Sequence, residues 1–553
     1  MSGNENIFLG SGASLTLVPE LDLHFLIIST SGDGTTLGTS GSDAGIRTET
    51  AYSNLYHWVP KMYVGCTVDI YNSGGNLLST HLITDNNADT LQLGTAAAAF
   101  SAGNYGVIRG YGAPCPGKKN SSVARLNADN WLGILESATF PNVEQEMKQL
   151  NLQLGGTRSI THQYRGIRTA SGGNLGFVMH TGAMLYYALG KCTQVRANFG
   201  NELLTHGSGS AYAAGSAGKV YINTNCTGSA TNTGTGLLTA TSNFSETGPI
   251  FYRPVYGGTT LTPPINLHIE ELNDMELIDR TTVSPSTLLV VDPIEYTFNE
   301  QNTSELPSFS LEQSIAKDPA QLVTDSTGKT NAESQNFVRV ARGNRINTLT
   351  ITASEGEEMK MTADLNTRAV ESIRNLGAGV NYESRAGIED NAQLFNWDQN
   401  GGTTMFSPFF FSAGTFTILG EPFLKMNSMT LTINNNLIDK RYMGGHRDMK
   451  EGLAGQRTYE LSFTAVVTDD ALFQEIFNEA ENTGTTTGTG LIQLAFTKDN
   501  GESVTIKLKD YFIDTANWTI PDDKGPVTVE ATVKPRNLLT DGCVVNTSYV
   551  LQG

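Results

Sequence analysis

Charged residues are scarce in this 553-residue chain, and basic residues are the scarcest. Only 16% of residues are charged, and 36 Lys and Arg stand against 55 Asp and Glu, which gives a formal net charge of −19. Grooves that hold nucleic acid by its phosphates need an excess of basic side chains, so this balance argues against a DNA-binding protein. Because 39% of residues are hydrophobic, the chain is not an acidic disordered one either.

Cysteines are few, and long apolar runs are absent. The five cysteines lie far apart without a CxxC pair, and an odd number cannot complete a disulfide framework, so we expect reduced, mostly buried thiols. The N-terminal MSGNENIFLG has no basic start and no apolar core, which predicts no secretory signal. No run of 18 apolar residues occurs, which predicts no membrane-spanning helix and synthesis in a cytoplasm.

Motifs that carry catalytic chemistry are also missing. The sequence contains no GxSxG, HExxH or EF-hand pattern, and no two of the eight histidines share an i, i+4 helical face. Residues 112–119 (GAPCPGKK) nearly match a P-loop, but Lys119 stands where a hydroxyl is required. The oxygen-rich DNNADT (85–90) lacks the bidentate Glu of a calcium loop and is typical of a turn. We therefore expect a protein that is not an enzyme and holds no cofactor or metal.

Glycine, by contrast, is abundant: its 58 residues are about one and a half times the usual share. Short segments of alternating apolar and polar residues are separated by turns, and this pattern predicts an all-β protein with minor helix. The clearest hairpin turns are NSGGN (72–76), EGEE (355–358) and DNG (499–501).

The pattern divides the chain into three units. We predict a small accessory β-barrel or sandwich over residues 1–118. Two larger β domains are predicted to follow, the first over residues 119–305 with a Gly/Ser/Thr-rich loop at 205–235, and the second over residues 306–553. The order strand, basic loop, double glycine, strand, helix occurs twice, near 147–190 and 426–480, which favours a duplication. The first helix is predicted to start at an N-cap Thr181 and to end at Gly190, and the second to span 470–480.

Several segments together resemble bacteriophage tail tube proteins. They are GNRINTLTITASEGEEMKMTADL (343–365), FSAGTFTI (411–418), MTLTINNNL (429–437), GQRTYELSFTAVVTDDALFQEIF (455–477) and VTVEATVKP (527–535). The segments 142–156 and 173–190 resemble the same strand–loop–strand–helix core. The resemblance implies tandem tail-tube-type β-barrels or sandwiches, each with a flanking helix, beside a small N-terminal β domain. It also implies a structural virion protein whose sheets join into rings, and whose rings stack into a hollow tail tube through which phage DNA passes into the host.

The resemblance further implies an assembly and its partners. If both halves are tube domains, three chains form a pseudo-hexameric ring, which the duplication favours. A true hexamer, in which the two halves complete one larger barrel, stays open. The expected partners are further copies of the chain, a tape measure protein and tail terminator or tip proteins, while DNA passes without specific binding. Residues 1–118 are expected to decorate the outside of the tube.

Charged loops supply the candidate contact residues. The hairpin turn 355–358 and the basic loops near 158–168 and 439–451 are candidates for lumen or inter-ring positions. The candidate residues are Glu355, Glu357, Glu358, Lys440, Arg441, Arg447, Lys450, Arg158, Arg165 and Arg168.

Two other functions are compatible with parts of the sequence. A tail-tip or cell-surface carbohydrate-binding adhesin is suggested by the Asn/Thr/Gly-rich loops and by Trp58, Trp131, Trp397 and Trp518. Tryptophans that cluster on one exposed face would favour it, and tryptophans buried singly would favour the tube. A β-rich hydrolase would need a pair of partly buried carboxylates, which the sequence does not reveal.

Overall fold

The computed structural model consists almost entirely of β-strands, most of them antiparallel, with one α-helix and one 3-10 turn among the residues that it describes. Those residues are 13–20, 22–27, 34–37, 46–47, 56–57, 62–72, 74–87, 90–96, 104–114, 117–118, 123–124, 135–150, 160, 162–179, 182–195, 245–247, 251–252, 255–256, 259–260, 265–266, 294–316, 336–372, 381–382, 408–418, 421–422, 425–443, 448–449, 451–467, 488–498, 501–522 and 524–547. The predicted all-β class with minor helix is confirmed.

The elements follow the chain in this order: β1 (Ala13–Glu20), β2 (Leu23–Ile27), β3 (Thr36–Leu37), β4 (Ile46–Arg47), β5 (Tyr56–His57), β6 (Thr67–Tyr71), β7 (Leu77–Asn86), β8 (Leu91–Leu93), β9 (Tyr105–Ile108), β10 (Gly117–Lys118), β11 (Val123–Ala124), β12 (Leu135–Thr139), β13 (Asn142–Leu150), β14 (His162–Val178), α1 (Ala183–Leu189), β15 (Gly190–Val195), β16 (Ser245–Thr247), β17 (Phe251–Tyr252), β18 (Val255–Tyr256), β19 (Thr259–Thr260), β20 (Ile265–Asn266), β21 (Ile294–Glu300), β22 (Ser308–Ala316), β23 (Asn336–Ser354), β24 (Lys360–Thr367), β25 (Ala369–Ser372), β26 (Asn381–Tyr382), the 3-10 turn (Phe411–Ala413), β27 (Gly414–Ile418), β28 (Glu421–Pro422), β29 (Met426–Asn434), β30 (Ile438–Lys440), β31 (Glu451–Leu453), β32 (Thr458–Val466), β33 (Gly488–Thr497), β34 (Ser503–Thr519) and β35 (Thr528–Thr547).

Two layers of strands form the body of the molecule. The first layer runs from β12 through β14, β24, β23, β29, β32 and β35 to the second half of β34. The second runs from β27 through β33, the first half of β34, the second half of β35 and β21 to β15. The long β34–β35 hairpin therefore passes from one layer into the other. Buried side chains of both layers, such as Leu349, Leu431, Ile506 and Val545, belong to one hydrophobic core.

Strands from both larger predicted units enter this body. β14 pairs with β24 across the predicted boundary at residues 305 and 306, and β21 pairs with β35. Leu175 and Phe298 from the first unit share the core with Leu431 from the second. The division into units at 1–118, 119–305 and 306–553 stays a prediction, but in the described strands the two larger units have one core between them.

The predicted turns and the first helix can be compared directly with the structure. The turns EGEE and DNG close the hairpins β23–β24 and β33–β34, as predicted, and NSGGN joins β6 to β7. Helix α1 ends at Gly190, whose φ of 103° is the left-handed conformation expected there. Its N-cap is Gly182 rather than Thr181, and no side-chain hydrogen bond caps the helix. A side chain at Gly182 would be crowded, because a Cβ there would lie 2.7 Å from Cγ2 of Val545. The second predicted helix (470–480) and the loop 205–235 lie outside the described residues.

The N-terminal part of the chain forms a seven-stranded sheet in the order β3-β8-β7-β6-β9-β2-β4. Its own small core contains Phe25, Val68 and Ile83. The strand before it, β1, does not join this sheet but pairs with β22 of the body, where Leu17 lies opposite Leu311. The N-terminal sheet is thus tied to the body at the strand that precedes it.

A buried carboxylate secures this attachment. Glu20, at the end of β1, is only 6% exposed. Its Oε1 accepts hydrogen bonds from Ser310 Oγ (2.6 Å) and the Gly343 N–H (2.7 Å), and its Oε2 accepts from Ser308 Oγ (2.6 Å) and the Gly112 N–H (2.7 Å). Gly112 belongs to the N-terminal part and the other three donors to the body, so one side chain joins the two.

Replacing this carboxylate is expected to destabilise the protein. Glu20→Ala leaves four buried donors unpaired, and each buried donor left without a partner costs about 1–3 kcal/mol. Urea denaturation should therefore give a clearly lower midpoint than the wild type. Glu20→Gln, which keeps the volume and one acceptor oxygen, serves as the control and should fall between the two. A Glu20→Ala midpoint equal to the wild type would show that the network is not stabilising.

Candidate functional site: a polar sheet face and its two edge strands

The outer face of the first layer is made of small hydroxyl side chains. Residues alternate between the core and the outside along β24, β29, β32, residues 348–354 of β23 and residues 528–534 of β35. Pairing places the outward residues in continuous rows, such as Thr362–Thr350–Thr432–Glu460. We call this surface the hydroxyl face. Its Thr and Ser residues are Thr348, Thr350, Thr352, Ser354, Thr362, Ser428, Thr430, Thr432, Thr458, Ser462, Thr464, Thr528 and Thr532.

The charged residues of the hydroxyl face are mainly acidic. Asp364, Glu460, Glu530 and Asp514 lie on strands of this face, and so do two cations, Lys360 and Lys534. Lys534 Nζ donates to Asp514 Oδ2 at 2.6 Å, and Lys360 Nζ lies 3.0 Å from Glu136 Oε1 of β12. Because four carboxylates stand against two ammonium groups, this part of the surface has a negative net charge.

The first layer ends in strands that pair on one side only, within the part of the chain that the structure describes. At one end, residues 512–519 of β34 pair with β35 and no other described strand. At the other end, β12 and β13 pair only with β14. The β34 edge also exposes Phe512, Trp518 and Ile520, which are 44%, 39% and 79% exposed. The outer strand of a sheet can receive a strand of another chain through its backbone N–H and C=O groups.

A two-stranded ribbon projects beyond the body. It consists of β13 and the first half of β14 (residues 142–150 and 162–170), because pairing with β24 begins only at Ala170. Nearly all of its side chains are exposed, although several are large and apolar: Val143, Met147, Leu150, Tyr164 and Ile167 are between 44% and 54% exposed. An isolated two-stranded ribbon is at best marginally stable in water, so these side chains are suited to packing against a partner.

The predicted charged residues lie at opposite ends of the first layer. Glu355, Glu357 and Glu358 form the β23–β24 turn, and Glu355 and Glu357 are exposed. Lys440 and Arg441 follow the far end of β29, roughly 25 Å away along eight strand residues. We call these the acidic end and the basic end.

The structure brings the two predicted basic loops together at the basic end, but residues 162–168 of the first belong to strand β14 rather than to a loop. Arg165 and Arg168 lie on the ribbon, and Arg168 Nη2 donates to Asp448 Oδ2 at 2.6 Å in the second loop. That hydrogen bond raises the pKa of Arg168. Asn366 on the neighbouring strand donates to Asp439 at 2.7 Å. Arg158, Arg447 and Lys450 lie outside the described residues.

Sequence reasoning missed Asp448 as the partner of Arg168, and it missed the hydroxyl face. The ion pair joins residues that are 280 positions apart, for which a single sequence carries no signal. The face did have a signal, because Thr alternates with Leu or Ile in both TLTI segments, at 348–351 and 430–433. The Leu and Ile residues of that pattern predict the buried face, and its Thr residues equally mark the opposite, outward face.

The described residues hold no evident chemical site. They contain no group of three or more His, Cys, Asp and Glu that could hold a metal ion. Cys66, Cys192 and Cys543 are free thiols, and burial raises the pKa of Cys192 to about 12, so it is a poor nucleophile. Among the described helical residues, no segment has the length and apolar character that a membrane crossing requires. Trp518 is described, whereas Trp58, Trp131 and Trp397 fall outside the described residues.

A family model described as "Phage tail tube protein" matches residues 94–535, which is most of the chain. A search of the curated proteins finds no match.

Proposed function

The chain belongs to the phage tail tube protein family, and from this premise we propose that it is the subunit of a hollow tail tube made of stacked rings. Membership of this family supports a structural role and a homo-oligomeric assembly. The observation that best supports the ring is the first layer itself, which is polar on one face and, among the described strands, ends in β34 on one side and in β12 and β13 on the other.

Edge-to-edge pairing closes the ring. The β34 edge of one copy pairs with the β12–β13 edge of the next, so the first layer continues from chain to chain. We propose six copies in each ring. The duplication favoured three chains because each half was expected to form its own barrel, but the described strands of both halves share one core. Each chain then occupies one of six equivalent positions in the ring. This is the hexamer that the sequence analysis left open.

The hydroxyl face lines the channel. DNA that passes through a tube must not be held by it, and a wall of hydroxyl groups with excess carboxylates repels phosphates. The face offers this chemistry, with Asp364, Glu460 and Glu530 set among threonines. No base-reading or catalytic group is needed for this role.

Ring stacking uses the strand ends. If edges join copies around the ring, the ends of the same strands point along the tube axis. The acidic end of one ring then meets the basic end and the ribbon of the next, so Glu355 and Glu357 face Lys440, Arg441 and Arg165. Opposite charges fix the relative rotation of the rings, and the apolar residues of the ribbon add affinity.

The remaining roles follow the family resemblance. We propose that the tube is part of the virion tail, that the chain is made in the host cytoplasm, and that tape measure and tail terminator or tip proteins meet the tube. The N-terminal sheet decorates the outside, because a channel must stay open.

Electron microscopy of the purified chain tests the proposal. Negative staining should reveal rings or tubes with a central hole, and mass photometry should give a ring of about 356 kDa (6 × 59.4 kDa). Monomers that do not assemble at high concentration, and that bind glycans on an array, would contradict the tube and support the adhesin.

A further inference from the structure

Two lysines lie on the face that is proposed to line the channel. Lys360 on β24 lies opposite Thr352, Lys534 on β35 lies opposite Phe512, and both lysines are on the outward side of their strands. An unpaired ammonium group in a DNA channel binds phosphates and is repeated in every copy of every ring. Bare lysines on the channel wall would therefore hinder the passage of DNA.

Each lysine is covered by a carboxylate from a neighbouring strand. Lys534 Nζ lies 2.6 Å from Asp514 Oδ2, and Lys360 Nζ lies 3.0 Å from Glu136 Oε1 and 3.7 Å from Glu358 Oε1. These contacts raise the pKa values of both lysines, with the hydrogen bonds to Asp514 and Glu136 as the largest causes. Both ammonium groups therefore stay charged and remain paired.

Both covering carboxylates occupy β-bulges. The pairing of β12 with β14 shifts between Leu135 and Ser137, which leaves Glu136 as the extra residue. The pairing of β34 with β35 shifts between Ile513 and Thr515, which leaves Asp514 as the extra residue. A bulge re-aims one side chain out of the regular alternation. A β-bulge thus supplies a carboxylate to Lys360 near one edge of the hydroxyl face, and another does so to Lys534 near the opposite edge.

We propose that Glu136 and Asp514 are masking residues that cover Lys360 and Lys534, so that the channel presents no bare cation to the double-stranded DNA passing through it. This inference rests on the proposed function and adds to it the residues that keep the wall from holding polyanions. The lysines in turn hold the bulged carboxylates against the sheet.

The test measures DNA retention by assembled tubes of the full chain. Because Glu136 and Asp514 lie on the two edge strands that are proposed to close the ring, the variants are isosteric amides, which leave the backbone pairing groups unchanged. A fluorescent 30-base-pair duplex is sedimented with tubes of wild type, Asp514→Asn and Glu136→Gln at low salt. Wild-type tubes should retain little duplex. Each variant should retain at least about tenfold more, and the gain should fall steeply as salt rises, because released counterions drive phosphate binding.

Double variants provide matched controls. Asp514→Asn/Lys534→Gln and Glu136→Gln/Lys360→Gln lack the same carboxylates but carry no bare lysine, so both should return to wild-type retention. Electron micrographs of each sample verify the tubes. Retention by the single variants equal to the wild type, or retention that persists in the double variants, would overturn the masking role.

The outcomes separate this inference from the proposed function. Failure of the wild-type chain to form tubes would contradict the proposed function. Wild-type tubes with unchanged retention in the variants would contradict only the masking role. If neither single variant assembles although the wild type does, the carboxylates serve assembly, which also overturns masking.

Discussion

Reversing the acidic end, with Glu355→Lys and Glu357→Lys, is expected to leave rings intact and abolish their stacking. Both side chains are exposed, and the attraction of Glu357 to Lys360 is a weak surface interaction, so the fold should tolerate the change. A surface ion pair contributes about 0.5 kcal/mol, and six copies make about 3 kcal/mol per ring contact. Loss of that energy raises the concentration needed for stacking by roughly a hundredfold, and repulsion adds to it. Sedimentation and electron microscopy distinguish single rings from tubes.

A charge swap provides the decisive control for this result. Lys440→Glu with Arg441→Glu should likewise block stacking alone, but a mixture of the two variants should form heterotypic contacts through their complementary ends. Glu295→Lys changes an exposed carboxylate on β21 and should stack normally. Normal tubes from the double Glu→Lys variant, or no heterotypic contacts in the mixture, would contradict the assignment of these ends.

Removing the apolar side chains of the ribbon is expected to have the larger effect on assembly. The variant replaces Val143, Met147, Tyr164 and Ile167 with serine. Each side chain is already 44–53% exposed, so the free chain should lose little stability. If each contributes about 1 kcal/mol when a second copy covers it, four contribute about 4 kcal/mol per contact, roughly a thousandfold in affinity. Mass photometry should then find free chains or isolated rings at concentrations where the wild type forms tubes.

The matched control changes apolar side chains elsewhere. Leu77 and Leu78 on β7 are 54% and 50% exposed, and they belong to the N-terminal sheet rather than to the ribbon. Leu77→Ser with Leu78→Ser should assemble like the wild type. Tubes from the ribbon variant at wild-type concentrations would show that the ribbon does not carry assembly.

Local features of this fold were predictable from the sequence. Gly501 and Gly356 adopt positive φ in the turns that DNG and EGEE predicted, and Gly190 does so after helix α1. The alternation of Met429, Leu431 and Ile433 identified side chains that are buried in the core. These features depend on the conformational preferences of a few adjacent residues, so the local sequence is sufficient to predict them.

Long-range pairing was not predictable. Alternation identifies the buried face of a strand but not the neighbouring strand, so the joining of β14 to β24 and of β1 to β22 carried no local signal. Glu20 ends a strand and reads as an ordinary surface carboxylate, yet its four donors come from three distant segments. The bulges that place Glu136 and Asp514 depend on register and were hidden for the same reason.

A cryo-EM reconstruction of assembled tubes tests the central claim most directly. The account predicts six chains per ring, a first layer continued through the β34 and β12–β13 edges, and Thr350, Thr432 and Glu460 facing the channel. Rings of three chains, or a reconstruction in which the hydroxyl face lies on the outside of the tube, would contradict it.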